Sequence, residues 1–540
     1  MFSNAARWHR LLTCLLVIIL ALLLLTGCAR EQTVAKPAAG HADGGGELLY
    51  TVADATGDWG FPSPYGHYAR GPGYIRMSFV FDTLVWKDDQ GYIPALANSW
   101  EYNKKENSYT FELNHNVTWH DGAKFTARDV VFTINYTREH PYQWVDTGIV
   151  KSVEARGDYS VKMYLYKPYA PFIEYVGATL PILPEHIYKN VKSPEQFQQK
   201  EACTGTGPFM LVDYNKTQGT YLYKRYENYY QGKPRVAEIK FVKMGNEAVA
   251  AALRQKQVNA ASVPPDLSGA LEKEGFKLLP GAHDWVAKLI INHQKEPLSN
   301  KEFRQALAYA IDRQALVDTC LRGYGMAASP GLIPPDSQWY DSKLDGAYPY
   351  DPARAEEILT KLGYVKQGNY YEKNGKPLEL ELLYGAGGSG NVGEREGELI
   401  KAQLEKIGIK VDLRGIEAKT LDSRVLEWKF DLALSGHGGL GGDPAQMSKF
   451  IISQDFNSAR YQQNKHLVTA LKNQISATDA GNRREYLNQA QELYAEEMPA
   501  LPLYYNNYYW AHDGQVNLYY TVRGVGLGVP IPLNKMSFVK

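Results

Sequence analysis

Apolar residues recur with two different periods along the chain, and the change of period divides it into two parts. From residue 48 to about residue 288, short strand-like runs such as 48–52 and 109–113 stand between turn residues, and the second run alternates apolar and polar positions. This alternation predicts half-buried strands joined by hairpins. The same part contains a clear helix start, because Thr126 and Asp129 have the spacing of an N-cap and its partner ahead of an apolar run.

From about residue 292 to residue 500, segments with helical periodicity alternate with strand-like segments. Helices are predicted at 299–322, 351–363, 392–407, 419–428, 445–453, 462–476 and 480–497, and strands at 378–384, 409–416 and 430–435. This alternation is typical of an α/β region. The final segment, 503–540, returns to strand-like and aromatic sequence.

A chain of 540 residues exceeds what one hydrophobic core usually serves, so at least two lobes are expected. If the final segment packs on the first part, the chain crosses between lobes near 286–292 and again near 500–505. We therefore predict an α/β protein with a discontinuous, strand-rich lobe I (47–288 and 505–540) and an α/β lobe II (289–504). Two crossings make a hinge, and the cleft between the lobes is a natural ligand site.

The first 46 residues have the pattern of an export signal followed by a tether. Basic residues precede an apolar run at 11–25, which predicts a signal peptide over residues 1–27. The ending Leu-Thr-Gly-Cys resembles a bacterial lipobox, which implies lipid attachment at Cys28, with 28–46 as a flexible tether. A simple transmembrane anchor is the alternative, since the run approaches the length of a membrane span.

The composition argues against several function classes. Lys plus Arg and Asp plus Glu number 59 each, so no net field favours nucleic acid or an anionic membrane surface. Cys203 and Cys320 either pair outside the cell or stay free and buried. No Cys or His spacing indicates a zinc site, and no nucleophile elbow or phosphate-binding loop indicates an enzyme. We predict a monomeric protein without catalytic residues, cofactor or resident metal.

The glycine-rich stretch 435–444 is the first candidate ligand site. It follows a predicted strand and carries one imidazole, His437, and one carboxylate, Asp443. A loop with little side-chain bulk suits close approach of a ligand to the backbone. Asp443 either selects a cationic group in a closing cleft or caps the helix that follows Pro444, and the two roles are compatible. His437 is either a cleft ligand or a loop histidine bonded to backbone.

A second glycine-rich turn follows the strand predicted at 378–384. Gly387, Gly388 and Ser389 belong to a formal GxGxxG pattern that leads into a helix, so free N–H groups are available there for an anionic part of a ligand. A dinucleotide site fits poorly, because no full set of alternating strands and helices surrounds the pattern. A plain flexible turn is the alternative.

The third candidate is the long loop 54–74. Trp59, Tyr65 and Arg70 lie there among glycines and prolines. A long loop this rich in aromatic residues is often functional, so we expect it to contribute to a ligand site. The alternative is a lid that packs on its own lobe.

Motifs distributed along the chain carry a resemblance to one family. They lie at 94–100, 109–113, 119–130, 204–209, 225–234, 303–313, 350–352 and 499–504. Together and in this order they resemble the family 5 extracellular solute-binding proteins, the peptide- and nickel-binding lipoproteins that serve ABC importers. The resemblance implies a two-lobed periplasmic-binding-protein-like fold (type II, class C). It also implies an extracytoplasmic protein that is lipid-anchored to the cell membrane, at its periplasmic face or outer surface depending on the envelope. Such a protein delivers an oligopeptide-like or metal-chelate solute to an ABC permease and its ATPase.

The resemblance also bears on the site. In peptide binders of the family, the aspartate of a Gly-Asp-Pro segment pairs with the ligand's α-ammonium, which implies that role for Asp443. Dipeptide binders place an arginine after the strand equivalent to 378–384, but here the first arginine is Arg395, inside a predicted helix. A longer peptide, another amine-bearing solute or a metal chelate therefore stays open. A peptide-sensing lipoprotein and, more remotely, a hydrolase are the alternatives to transport.

Overall fold

The computed structural model describes residues 48–281, 283–386, 393–525 and 528–540. The predicted signal peptide, the tether and Cys28 lie outside these ranges, as do Gly387, Gly388 and Ser389. No helix within the ranges combines the length and the apolar character that crossing a membrane requires.

Strands from the first part of the chain and from its C-terminal segment form a seven-stranded mixed sheet, sheet A. In spatial order its strands are Lys277–Pro280, Tyr509–His512, Ala260–Val263, Leu49–Asp54, Glu238–Lys243, Thr220–Arg225 and Phe209–Asn215. Leu49–Asp54 runs parallel to both of its neighbours. Tyr50 and Val52 are fully buried while Thr51 between them is partly exposed, as expected for side chains on opposite faces of a strand.

Two smaller sheets complete this part of the molecule. One is antiparallel, with the strand order Ala97–Asn103, Ser108–Leu113, Ser160–Leu165 and Val150–Ala155, and the other pairs Val85–Lys87 with Tyr92–Pro94.

Helix Ala127–Glu139 begins where predicted, because Asp129 Oδ2 accepts a hydrogen bond from Thr126 N–H at 2.9 Å. The C-terminal segment packs into the same core, where Asn534 Oδ1 accepts from the Trp86 indole N–H at 3.0 Å.

A six-stranded sheet, sheet B, forms the centre of the second part. Its order is Gly325–Ala327, Ala500–Asn506, Val286–Ile291, Leu432–His437, Glu379–Ala386 and Lys410–Glu417. Val286–Ile291 is buried at every position, consistent with its almost unbroken apolar sequence. A small sheet of Val365–Gln367, Tyr370–Lys373 and Lys376–Pro377 lies between strands Gly325–Ala327 and Glu379–Ala386 along the chain.

The α-helices within the described ranges belong to both parts. They are Gly71–Ser78, Ala127–Glu139, Glu185–Tyr188, Asn246–Arg254, Pro265–Lys273, Lys301–Ala310, Arg313–Cys320, Pro352–Lys361, Glu394–Ile407, Ala418–Leu426, Gln446–Ile452, Lys465–Ser476 and Ala480–Glu497. Each helix and strand predicted between residues 351 and 497 is present within a few residues of its predicted ends. The α/β character predicted for the second part is therefore confirmed.

The single helix predicted at 299–322 is wrong. The structure has two helices, Lys301–Ala310 and Arg313–Cys320. Ile311 is extended, and Asp312 caps the second helix by accepting a hydrogen bond from Ala315 N–H at 3.0 Å. The apolar periodicity continues across the break and so gives no sign of it. The boundary between the two helices is marked by the capping aspartate.

The chain passes between the two large sheets twice. It leaves sheet A after Lys277–Pro280 and enters sheet B at Val286–Ile291, and it returns after Ala500–Asn506. The two connections lie side by side, since Gly281 N–H donates to the Tyr508 carbonyl at 2.8 Å. The exact lobe limits proposed from the sequence stay a prediction.

Contacts away from these crossings also join the two parts of the chain. Arg322 forms an ion pair with Asp266 at 2.8 Å, and Ala170 N–H donates to the Ile475 carbonyl at 2.8 Å. The two parts of the chain are therefore held together by direct contacts as well as by the two connections.

Candidate ligand-binding cleft

The glycine-rich stretch 435–444 lies where the two parts of the chain meet. It leaves strand Leu432–His437 of sheet B, and its backbone lies against the C-terminal segment. A Cβ atom on Gly442 would lie 2.5 Å from Gly528 Cα, and one on Gly528 would lie 2.7 Å from Gly439 Cα. Because these glycines have no side chains, the opposite backbone can approach them closely. That backbone occupies the space in which a ligand was expected.

One added methyl group at Gly442 is expected to weaken solute binding, because it separates two backbones that touch in this structure. Overpacking of this kind costs about 1–3 kcal/mol. Calorimetric titration of Gly442→Ala with the solute that co-purifies with the wild-type protein measures the change. Gly438→Ala is the matched control, since its Cβ would meet Trp285 Cδ1 at an ordinary 3.8 Å. Equal affinities of the two variants would contradict the expectation.

Asp443 is paired within the protein. Its two carboxylate oxygens accept hydrogen bonds from Arg483 Nη1 at 2.9 Å and Nη2 at 2.5 Å, and both side chains are more than nine-tenths buried. Asp443 Oδ1 also accepts from Ala445 N–H at 2.8 Å, just before helix Gln446–Ile452. The carboxylate thus supports the helix start, and a ligand ammonium would have to compete with Arg483 for it. Its pairing with a ligand stays a prediction.

His437 is enclosed rather than exposed to a cleft. Its ring stacks on Phe450 with centroids 3.3 Å apart, and its Nδ1 lies 3.2 Å from the Gly438 carbonyl oxygen. Burial, and next the charge of Lys288, hold the pKa of His437 well below its usual range. The imidazole is therefore neutral at physiological pH.

Two of the three candidates from the loop 54–74 form hydrogen bonds within their own lobe. The Trp59 indole N–H donates to Asp54 Oδ2 at 2.8 Å, and the Tyr65 hydroxyl donates to the His140 carbonyl at 2.6 Å. Arg70 is exposed and immediately precedes helix Gly71–Ser78. These contacts describe a loop packed on its own lobe, and a ligand role for its three residues stays a prediction.

A cavity of about 400 Å³, which we call the polar cavity, lies between the two parts of the chain. Its lining combines Tyr92 and Glu174 from the first part with Trp339 and Asp443 from the second, and Arg523 from the C-terminal segment. A cavity with walls from both lobes is the expected place for a ligand that holds the lobes together.

Four of the five charged groups that line the polar cavity pair with each other. Lys87 pairs with Glu174, and Asp443 pairs with Arg483. Arg523 has no ion-pair partner within the described ranges, and its backbone φ of 57° is uncommon for a residue other than glycine. The polar cavity therefore offers one uncompensated positive charge, which suits a carboxylate or another anion.

A second cavity, the aromatic cavity, lies at the two chain crossings and measures about 240 Å³. Trp285 lines it from the first crossing, Tyr508 and Trp510 from the second, and Tyr520 from the C-terminal segment. Trp285 is seated over Gly436, where a Cβ atom would lie 2.0 Å from its Cζ2. The glycine-rich stretch thus positions an aromatic wall of this cavity.

Asp284 is the charged residue of the aromatic cavity's lining. It is 7% exposed, and burial raises its pKa to about 7. Its neighbour His283 opposes that rise and Asp336 adds to it. A carboxyl group in such surroundings is balanced between its neutral and charged forms near neutral pH.

Neither Asp284 nor Arg523 was identified from the sequence. Each is a single charged residue without a motif, and only the fold brings it to a cavity. One signal was available for Asp284: it lies two residues before the predicted crossing at 286–292. Among the described residues, both cysteines are free, Cys203 buried and Cys320 partly buried, and no group of three or more His, Cys, Asp or Glu side chains is placed to hold a metal ion.

Comparison with known proteins gives consistent matches. Residues 91–458 match the model of a family described as "Bacterial extracellular solute-binding proteins, family 5 Middle". The chain is 28% identical to heme-binding protein A of Haemophilus influenzae, over 76% of this chain and 78% of that protein. It is 27% identical to the dipeptide-binding protein of Escherichia coli, over 76% and 80% of the two chains.

A solved structure extends this similarity to the fold. The crystal structure of NikZ from Campylobacter jejuni in complex with Ni(L-His) superposes with a TM-score of 0.70 at 25% identity. The match covers 87% of this chain and 94% of that one. The predicted two-lobed fold of periplasmic binding proteins is therefore confirmed.

Proposed function

The chain belongs to family 5 of the bacterial extracellular solute-binding proteins, and from this premise we propose that it is the substrate-binding lipoprotein of an ABC importer. It captures a peptide-like solute between its lobes and delivers it to the permease. No bond is made or broken, since the protein works through a difference in solute affinity between open and closed lobes.

The observation that carries the proposal is the placement of two cavities of different chemistry beside the contact between the two parts. The polar cavity has one uncompensated guanidinium, and the aromatic cavity has one buried carboxylate. A solute with separated positive and negative groups and apolar side chains complements both, and a short peptide has these features. The dipeptide-binding relative in Escherichia coli supports the same solute class.

Lipid anchoring and export rest on the N-terminal sequence. The basic residues, the apolar run at 11–25 and the Leu-Thr-Gly-Cys ending support a lipoprotein that is tethered through Cys28. Such a tether keeps the binding protein near the permease in the membrane.

Binding of a nickel or other metal chelate is the second candidate, favoured by the similarity to the structure of NikZ with Ni(L-His). Mass spectrometry of the solute that co-purifies with the protein, together with metal analysis, separates the two candidates. A peptide without stoichiometric metal supports the first, and a stoichiometric metal with a small chelator supports the second.

Arg523→Gln is expected to weaken binding of a solute that carries a carboxylate, because it removes the uncompensated charge of the polar cavity. A partly exposed charge-assisted contact is worth about 1.5–3 kcal/mol, roughly a tenfold to hundredfold loss of affinity. Titration with the co-purified peptide and with its C-terminal amide measures the effect, which should be confined to the free acid.

Arg484→Gln is the matched control for this change. It also removes one guanidinium charge near the polar cavity. Arg484 itself does not line that cavity, and its Nη1 donates a hydrogen bond to the Gln338 carbonyl at 2.8 Å. If Arg523→Gln weakens the acid and the amide equally, Arg523 does not recognise the carboxylate.

A further inference from the structure

The aromatic cavity surrounds a carboxylate with aromatic side chains. Asp284 lines it together with Trp285, Tyr508, Trp510 and Tyr520. Burial, and next the charge of Asp284, raise the pKa of Tyr508 and of Tyr520. Aromatic faces attract cations, and a carboxylate attracts them more strongly.

Among the residues that the structure describes, none serves as a counter-ion for this carboxylate. Within the described ranges, no side chain forms a hydrogen bond or an ion pair with Asp284. The adjacent His283 is engaged elsewhere: its Nδ1 lies 2.9 Å from Asp336 Oδ2 and its Nε2 lies 2.5 Å from Asn507 Oδ1. A buried carboxylate in this position either keeps a proton or receives a cation from outside the protein.

We propose that the aromatic cavity binds an ammonium group of the transported solute, with Asp284 as its counter-ion. This inference rests on the proposed function and specifies the solute: one end carries an ammonium group next to an apolar side chain. In this arrangement Asp284 takes the role that the Gly-Asp-Pro segment suggested for Asp443.

The chemistry of the cavity favours an ammonium group over other cations. Dehydrated divalent metals require several oxygen or nitrogen ligands, and the lining offers one carboxylate. Guanidinium groups favour a bidentate partner and further acceptors around their fork. An ammonium group needs one strong acceptor, and the aromatic walls accommodate its apolar substituents. The volume of about 240 Å³ suits one amine and a short side chain.

The neighbouring cavity gives the bound solute a direction. A Cβ atom on Gly441 would lie 3.0 Å from Asp284 Cβ, and the next residue, Gly442, lines the polar cavity. The two cavities therefore adjoin the same loop. A peptide whose ammonium group meets Asp284 can direct its carboxylate towards Arg523.

The test compares solute capture by the full-length mature protein and by Asp284→Asn. Bound solute is removed by unfolding and refolding, and each protein is then mixed with an equimolar set of tripeptides, the same tripeptides with acetylated N-termini, and a set of small primary amines. Mass spectrometry identifies what is captured, and calorimetry gives affinities. Circular dichroism verifies that the variant refolds.

The wild-type protein is expected to capture tripeptides with a free N-terminus, and Asp284→Asn is expected to bind them about 30- to 1000-fold more weakly. Tyr508→Leu removes a ring but no charge, and it is expected to lower the affinity for these tripeptides about 3- to 30-fold. Asp336→Asn is the matched control: it removes a nearby carboxylate outside the cavity lining and should retain affinity within a fewfold.

The possible outcomes separate the inference from the proposed function. Capture of acetylated peptides only when they contain lysine, with loss in Asp284→Asn, identifies the ammonium as a side-chain group and supports the inference. If the wild-type protein and Asp284→Asn capture free and acetylated peptides equally well, the inference is overturned and the proposed peptide binding still stands. Capture of amines but no peptide, with loss in Asp284→Asn, supports the inference and overturns the peptide proposal. Capture of neither class by the wild-type protein overturns both.

Discussion

Asp443→Asn is expected to lower the free energy of unfolding by about 3–5 kcal/mol, because it leaves the Arg483 guanidinium buried without its counter-ion. Arg483 reaches Asp443 through two contacts, at 2.9 and 2.5 Å, and each side chain keeps less than a tenth of its surface exposed. Urea unfolding followed by circular dichroism measures the loss. A variant as stable as the wild type would show that the pair contributes little.

The double variant Asp443→Asn/Arg483→Met isolates the cause. It leaves no charge buried at this place, so most of the stability should return. Asp266→Asn is the control for an exposed pair: it breaks the contact with Arg322 and should cost at most about 1 kcal/mol.

Solute affinity provides a second measurement on the same variants. If Asp443 pairs with a ligand ammonium, affinity falls in the single variant and does not return in the double variant. If the aspartate only joins two segments of the second part, affinity follows stability and returns with it.

The sequence predicted the elements of the second part because local signals agree there. Helix Pro352–Lys361 and strand Glu379–Ala386 illustrate this: the helix combines apolar helical spacing with a capping Asp351 before Pro352 and a stop at Gly363, and the strand begins with alternating Glu and Leu. The break at Asp312 was missed because a capping aspartate inside a continuous apolar pattern is easily taken for a polar helix position.

The candidate site was harder to predict, because it depends on residues distant in sequence. Asp443 was visible as part of a Gly-Asp-Pro segment, but its partner Arg483 lies forty positions later on another helix, and no local pattern joins them. His437 was visible as an imidazole in a glycine-rich stretch, but its stacking on Phe450 depends on tertiary packing. Asp284 and Arg523 carry no motif, and only the crossings and the C-terminal segment bring them to cavities.

A buried carboxyl group that has no side-chain partner among the described residues should also affect stability. Burial raises the pKa of Asp284 to about 7, whereas an unfolded chain gives aspartate a pKa of about 3.9. Below pH 4 both states keep the proton and the group costs nothing. Between pH 4 and 7 the unfolded state loses the proton first, so stability falls as pH rises, and above pH 7 the full cost is present.

Asp284→Asn is therefore expected to raise the free energy of unfolding of the solute-free protein at pH 8 by up to about 4 kcal/mol, since three pKa units correspond to about that energy. At pH 4 the two proteins should differ little. Urea unfolding at pH 4, 6 and 8 measures the difference.

The groups that face Asp284 make the pH dependence specific to it. His283 and Asp336 act on its pKa in opposite directions, and the hydroxyl groups of Tyr508 and Tyr520 keep their protons throughout this pH range. Asp336→Asn is the control: the hydrogen bond with His283, and next the charge of His283, hold the pKa of Asp336 below its usual range, so removal of this carboxylate should not stabilise the protein at pH 8. If Asp284→Asn is more stable than the wild type and also loses solute binding, the carboxylate of Asp284 serves the ligand and destabilises the fold. A difference between the two proteins that does not change with pH would contradict this.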